Sequence, residues 1–248
     1  MPVLSGAVME PAQRTASKRT EVQMARSMCW HCQSEVTGEY FCQQCVKVQP
    51  LSKELDYFTC LGLPRLLTID TARLEAKFYE LSRSFHPDFF QNKTESEQGI
   101  SLGNSALLNM AYRTLKDPIR RAEYLLQLEA GSAKDIRTPP PADLFEEILA
   151  LQEDLEEFRS ASSQQDATGV GRLRTKLQAD QASLEQRQKD MEARLFELFM
   201  KWDSLQDRTG QDDRLRAEKD PVLKEMREIL SNRTYLRNIV DDLVASTS

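Results

Sequence analysis

An all-α fold is predicted: a helical hairpin, then a C-terminal three-helix antiparallel bundle, both preceded by a small four-cysteine knuckle module. Three observations carry this. Apolar residues recur every three or four positions along two long stretches, the period of a helix buried on one side. Glycine and proline are few, 9 and 10 of 248 residues, while 29% of the chain is charged and 40% hydrophobic, a composition that favours helices around small cores. Four of the five cysteines, Cys29, Cys32, Cys42 and Cys45, fall close together near the start. The net charge of -6 and pI near 5.2 argue against nucleic acid as the main partner, because backbone binding relies on clustered Lys and Arg. No apolar run approaches the roughly 20 residues that span a bilayer, so no membrane partner is expected.

Residues 1–27 form a polar tail without periodicity. It carries Arg14, Lys18, Arg19 and Arg26 against only Glu10 and Glu21. An organellar presequence and a disordered tail both fit this composition.

Residues 28–50 hold "CWHCQSEVTGEYFCQQC", a C-x2-C-x9-C-x2-C pattern. Each C-x-x-C grips a metal in a tight knuckle, and two pairs close a tetrahedral four-thiolate site with no open position. Zn2+ is the leading expectation; iron and redox dithiols are the alternatives. The x9 spacer is expected to form a small hairpin around Gly38. His31 is expected to be exposed, since four thiolates suffice, and Cys60, in the apolar "YFTCLGL", to pack as a small hydrophobe.

Residues 51–130 read as helical. "TIDTARLEAKFYELSRSF" opens on the capping-type residues Thr68 and Asp70, and its Leu74, Phe78, Leu81 and Phe85 form one apolar face. The helix must stop at Phe85 or His86, because Pro87 disfavours a helical residue before it. The polar segment "QNKTESEQG" is read as a loop, followed by the helix of "ALLNMAYRTLK". Asp117 and Pro118 end that helix and start another. A linker, 131–141, contains Gly131 and three consecutive prolines that no helix continues.

Residues 142–245 carry the bundle. Its first helix, "PADLFEEILALQEDLEEF", has Asp143, Glu146 and Glu147 in its early turns, where the helix dipole favours acids. Leu144, Ile148, Leu151 and Leu155 are expected to face the core, with Phe145 and Leu149 as a second stripe beside them. Gly169 and Gly171 are read as punctuation. A heptad-like run follows from about Arg172 to Leu205, with Leu177, Leu184, Met191, Leu198 and Leu205 at one position and Leu195 and Trp202 at the other. The last helix is expected to start near Pro221.

"FHPDFF" at residues 85–90 poses the functional question. His86 beside Asp88 suggests acid–base chemistry, but that needs a pocket and polar partners. The only other histidine is His31, and no nucleophile motif or Gly-rich phosphate loop is present. Pro87 instead makes a stiff turn suited to recognition by another protein.

A helix ending in His-Pro-Asp, followed by one reading Asn109-x-Ala111-Tyr112-x-x-Leu115-x-Asp117-Pro118, resembles the J-domain of DnaJ-type co-chaperones, and "DYFTCLGL" is similar to the start of that domain. "HPDFF", "RRAEYLL" and "LALQEDL" narrow the likeness to the HscB-type co-chaperones of iron–sulfur cluster assembly. "CWHC…YFCQQC" resembles the zinc-binding extension that some members carry ahead of the J-domain. The resemblance covers about residues 28–245 and is weakest over 160–220. It implies an adaptor and activator, not an enzyme. His86, Pro87 and Asp88 would dock on the ATPase domain of a DnaK-type (HscA-like) chaperone. Arg73, Lys77 and Arg83 on the preceding helix could meet an acidic partner, although Glu75 and Glu80 dilute that charge. The bundle would bind an IscU-type scaffold through Phe145, Leu149, Tyr235 and Leu236, with Glu146, Glu147, Glu153 and Asp154 around them. A monomer in the bacterial cytoplasm is expected, the mitochondrial matrix being the alternative. The competing reading is a zinc-ribbon interaction or nucleic-acid-binding protein whose helices dimerise; acidic helices and the lack of a basic stripe count against it.

Overall fold

The computed structural model describes residues 27–36, 40–52, 55–130, 142–164, 167–206 and 213–247. Gly38, the linker at 131–141 and all of the tail except Ser27 lie outside them. Among the described residues the fold is helical, as the periodicity requires, apart from a two-stranded ribbon of β1 (Ser27–Met28) and β2 (Glu35–Val36). The chain divides into two compact units, Met1–Arg121 and Ala122–Ser248. That division falls inside a helix, short of the residue-130 boundary expected from the sequence.

The first unit opens with the cysteine module. Hairpins close around each C-x-x-C, while the one expected around Gly38 lies outside the described residues. Ser27 pairs with Val36 across the first knuckle, and Phe41 bridges Val48 across the second. Cys29 N–H donates to the Ser34 carbonyl at 2.8 Å, and Cys42 N–H to that of Lys47 at 2.9 Å. A short helix, α1 (Tyr57–Cys60), is capped by buried Asp56, which accepts from Thr59 N at 3.0 Å and from Arg65 at 2.8 Å.

α2 (Thr71–Phe85) starts at Asp70, whose carboxylate accepts from the Ala72 and Arg73 amides. Leu74, Leu81 and Phe85 are buried along one face. Phe78 stacks on Tyr112 of α3 (Glu95–Lys116), ring centroids 4.1 Å apart. The Phe85 carbonyl accepts from Ser101 and Ser105 of α3, so the two helices form an antiparallel hairpin.

α3 corrects the loop expected at "QNKTESEQG", because helix begins at Glu95. Thr94 and Glu97 form a capping box that starts it. The early turns bury polar residues in place of apolar ones. Ser101 bonds the Phe85 carbonyl at 2.7 Å, and Asn104 bonds the Gln49 carbonyl and the Leu51 amide, each at 2.9 Å. Buried positions filled by satisfied polar groups leave no apolar period to read. α4 (Pro118–Ala130) is capped by Asp117, which accepts from the Ile119 and Arg120 amides.

The second unit contains α5 (Ala142–Ser163), α6 (Ala167–Gln206) and α7 (Asp213–Thr247). Ion pairs record the register. Asp154 meets Lys176 and Glu147 meets Arg187, so α5 and α6 run antiparallel. Glu225 meets Arg194, and Gln206 accepts from Lys219, so α6 and α7 do too. Leu151, Leu155 and Phe158 of α5 share a core with Leu173, Leu177 and Leu184 of α6 and with Leu236, Ile239, Val240 and Leu243 of α7. At about 1.5 Å per residue, α6 is roughly 60 Å long.

Two boundaries differ from expectation. Gly169 and Gly171 lie within the first turns of α6, where open space around Gly171 imposes no break. Pro221 sits inside α7, which already begins at Asp213. A proline there removes one backbone hydrogen bond but leaves the flanking turns intact. The side chain of Leu144 lies outside what the structure describes.

Candidate functional site

The His-Pro-Asp turn is made by a helix stop. His86 closes α2 with an extended backbone, φ -60° and ψ 126°, and Pro87 opens a 3-10 turn over Pro87–Phe90. Phe85 and Phe90 are buried on either side, whereas His86 and Asp88 point outward with side chains 54% and 70% exposed. His86 Nδ1 lies 3.4 Å from both the Asp88 amide and Asp88 Oδ2. The pair is therefore local and solvent-facing. Its other contacts are the Phe89 ring against His86 and the Gln91 amide on Asp88, neither a nucleophile. This geometry presents the His86–Asp88 pair to solvent at the end of a helix.

On α2, Arg73 and Arg83 are exposed and make no ion pair among the described residues. Lys77 is engaged within the chain: its ammonium meets Glu80 at 2.9 Å, and its stem lies beside Gly62. Sequence reasoning missed Tyr79 and Phe89, both exposed. Tyr79, Arg83 and His86 follow one another at helical spacing, a signal that the apolar-face search passes over.

The cysteines converge as expected. Their Sγ atoms all lie within 4.8 Å of one another. Cys29 to Cys45 and Cys32 to Cys42 are each 3.6 Å. A tetrahedral site with metal–sulfur bonds of about 2.3 Å needs sulfurs about 3.8 Å apart, so the set fits a closed four-coordinate centre. Further donors surround it. His31 N–H and the Gln49 side-chain amide reach Cys29 Sγ, each at 3.4 Å, and the Ser34 hydroxyl lies 3.2 Å from Cys42 Sγ. The Ser34 hydroxyl, aided by the Cys45 and Gln44 amides, draws the Cys42 thiol down to about 6. Burial pushes Cys45 up to about 12. Thiolates this close repel, and a central dication relieves that repulsion. His31 is exposed and Cys60 buried, both as expected.

The two knuckles repeat one backbone form. The residue after each second cysteine is left-handed, Gln33 at φ 61° and Val46 at φ 59°. No sequence repeat signalled this, because neither position is glycine.

On the bundle, Phe145 and Leu149 are 53% and 44% exposed, so the second stripe of α5 faces outward. Leu151 and Leu155 are buried and Ile148 packs against the same core. Two of the surrounding acids are tied down, Glu147 by Arg187 at 2.8 Å and Asp154 by Lys176 at 2.7 Å. Tyr235 is half-buried against the core. Leu236 corrects the expectation. It is 0% exposed inside the bundle, because the α7 face toward α5 and α6 takes its side chain, so it packs and does not offer a contact.

No family model matches the chain. It is 31% identical over 170 residues to the human "Iron-sulfur cluster co-chaperone protein HscB", covering 66% of this chain and 72% of that protein. To the Mus musculus protein of the same name it is 31% identical over 154 residues, covering 60% and 65%. The chain thus spans just under two thirds of that relative. The co-chaperone protein HscB of Proteus mirabilis is 36% identical over 109 residues, covering 44% and 63%. The crystal structure of human co-chaperone protein HscB shares the fold, with a TM-score of 0.62 at 24% identity, covering 88% of this chain and 98% of that one. The His-Pro-Asp turn, the four-cysteine module and the helical bundle thus occur in one chain alongside that degree of identity, and the chain belongs to the HscB family of co-chaperone proteins.

Proposed function

We propose that this protein is an iron–sulfur cluster co-chaperone that brings a scaffold protein to an ATP-hydrolysing chaperone. The observation that carries this is the exposed His86–Asp88 turn, held at a helix end and facing solvent. Pro87 fixes one backbone angle, so the turn loses little conformational freedom when it docks. The partner is the ATPase domain of a DnaK-type (HscA-like) chaperone, whose hydrolysis the turn stimulates; the protein itself catalyses nothing. Tyr79, Arg83 and Phe89 flank the turn and enlarge the docking face, the arginine steering toward an acidic surface.

The bundle binds an IscU-type scaffold. Phe145 and Leu149 supply an apolar centre, and the exposed Glu146 and Glu153 supply part of its polar border. The cluster is cargo on that scaffold and needs no site in this chain. The four cysteines hold Zn2+ as a structural ion, in keeping with a reducing compartment that preserves free thiols.

The test is steady-state ATP hydrolysis by a DnaK-type chaperone, with and without this protein and a scaffold. Wild-type protein should accelerate hydrolysis and His86→Gln should not, while helix content and scaffold binding stay unchanged. Equal stimulation by His86→Gln would remove the turn from the mechanism.

A further inference from the structure

The four-cysteine module is bonded to both ends of the segment that carries the His-Pro-Asp turn. Phe85 is the residue immediately before His86, and its ring is fully buried. Two aromatics of the module hold it. Tyr40 meets it edge-on, centroids 5.4 Å apart, and Phe41 stacks on it at 6.0 Å with planes 15° apart. Phe41 directly precedes Cys42, so the metal ligand and the stacked ring share one stretch of backbone. On its other side, the Phe85 carbonyl is fixed by Ser101 and Ser105 of α3.

Beyond the turn the module makes a second attachment. Lys47, in the second knuckle, meets Glu97 at 2.9 Å. Glu97 also accepts from the Thr94 hydroxyl at 2.8 Å and completes the capping box that starts α3. Between these anchors the turn has mainly short-range bonds of its own, such as Phe89 N–H to the His86 carbonyl at 3.0 Å.

We infer that the four-cysteine module is a brace for the His-Pro-Asp turn, and that Tyr40, Phe41 and Lys47 are positioning residues through which metal occupancy sets how firmly the turn is presented. The module's own buried cluster is Cys29, Cys42 and Val36 with Cys45 against it, so it consists mostly of the candidate ligands and loses its fold when the metal leaves. Phe85 and Glu97 then lose their module contacts together. The turn samples more conformations, and docking must pay for ordering it. The inference rests on the proposed activation of a chaperone through His86–Asp88, and it makes that activation metal-dependent.

The test uses the full chain in five forms: metal-loaded wild type, wild type stripped by a chelator that is then removed, Phe41→Ala, Lys47→Ala and, as the conservative control, Phe41→Tyr. Backbone amide order parameters are read at Asp88 and Phe89, with Leu108 and Leu115 in the middle of α3 as reference. Chaperone ATPase stimulation and scaffold binding are measured on the same samples. Stripped protein and Phe41→Ala should drop from about 0.85 to below about 0.6 at Asp88 and Phe89. Leu108 and Leu115 should be unchanged. The concentration needed for half-maximal stimulation should rise at least about fivefold, with scaffold affinity unaltered; Lys47→Ala should show a smaller change in the same direction, and Phe41→Tyr should restore the wild-type values.

Rigid turns and unchanged stimulation in the stripped protein and both variants would overturn the brace. So would loss of order at Leu108 and Leu115 alongside the turn, because the module would then support the whole domain. A metal-loaded wild type that gives no stimulation would instead defeat the underlying proposal of chaperone activation, while the order parameters still decide the brace.

Discussion

Val46 occupies the left-handed region at φ 59° and is 76% exposed, so a β-branched side chain sits where only glycine is comfortable and gains no packing in return. Val46→Gly removes strain of roughly 1–2 kcal/mol, less a part lost to the freer unfolded chain. A gain of about 1 kcal/mol corresponds to about fivefold tighter metal binding. Competition against a coloured chelator reads this directly; equal or weaker affinity would show that the strain is absent. Glu97 carries a pH signature. The Lys47 ammonium, with the Thr94 hydroxyl and amide, holds its carboxyl below the usual range. A depressed carboxylate contributes stability above its unfolded value, near 4.3, and loses it as pH falls through the folded value. Wild type should therefore melt higher than Glu97→Gln at pH 7, and the gap should close as pH falls below about 4. A gap that stays constant down to pH 3 would mean that folding does not lower the Glu97 pKa and that the Lys47 contact does not favour its carboxylate.

At the scale of the element, α5 tests the scaffold face. Leu151 and Leu155 face inward, whereas Phe145 and Leu149 do not. A buried phenylalanine cut to alanine costs roughly 3–5 kcal/mol, an exposed one far less. Phe145→Ala with Leu149→Ala should accordingly hold the melting temperature within a few degrees, keep chaperone stimulation by the turn and lower scaffold affinity at least about tenfold. Leu236→Ala should do the opposite, melting early by virtue of the cavity it leaves in the bundle. Calorimetry of the two variants separates them, and an early melt of the double mutant would move the binding face elsewhere. Periodicity made α2, α5 and most of α6 legible. It failed at the start of α3, where Ser101 and Asn104 occupy buried positions and satisfy their polar atoms on other segments.

At the scale of the molecule, the chain combines a metal module, a helical hairpin and a bundle, and its net charge is -6. Among the described residues, no helix is long and apolar enough to cross a membrane. The four cysteines and the helices occupy separate stretches of chain: the cysteines lie in residues 29–45, and every described helix lies within 57–247. Purified protein should carry one Zn2+ per chain, held by those four thiolates. Stripping it should leave far-UV circular dichroism nearly unchanged while tightness at the turn is lost. A large loss of helix on chelation, or two disulfides and no metal in the purified protein, would refute that separation.

The amino-acid sequence by itself determined the helical class, the four-cysteine cluster and the His-Pro-Asp turn, because each depends on spacing within a short stretch. Apolar residues three or four apart demand a helix, paired C-x-x-C units can close on one ion, and Pro87 stops α2 wherever the chain goes next. Tertiary structure alone decided which apolar side chains face water. Leu149 and Leu236 are the same residue type on amphipathic helices, yet one is 44% exposed and the other 0%. It also decided that Phe41 lies against Phe85 and Lys47 against Glu97. Those contacts join positions distant in the chain, and no local spacing encodes which distant surface will bury a given ring or meet a given charge.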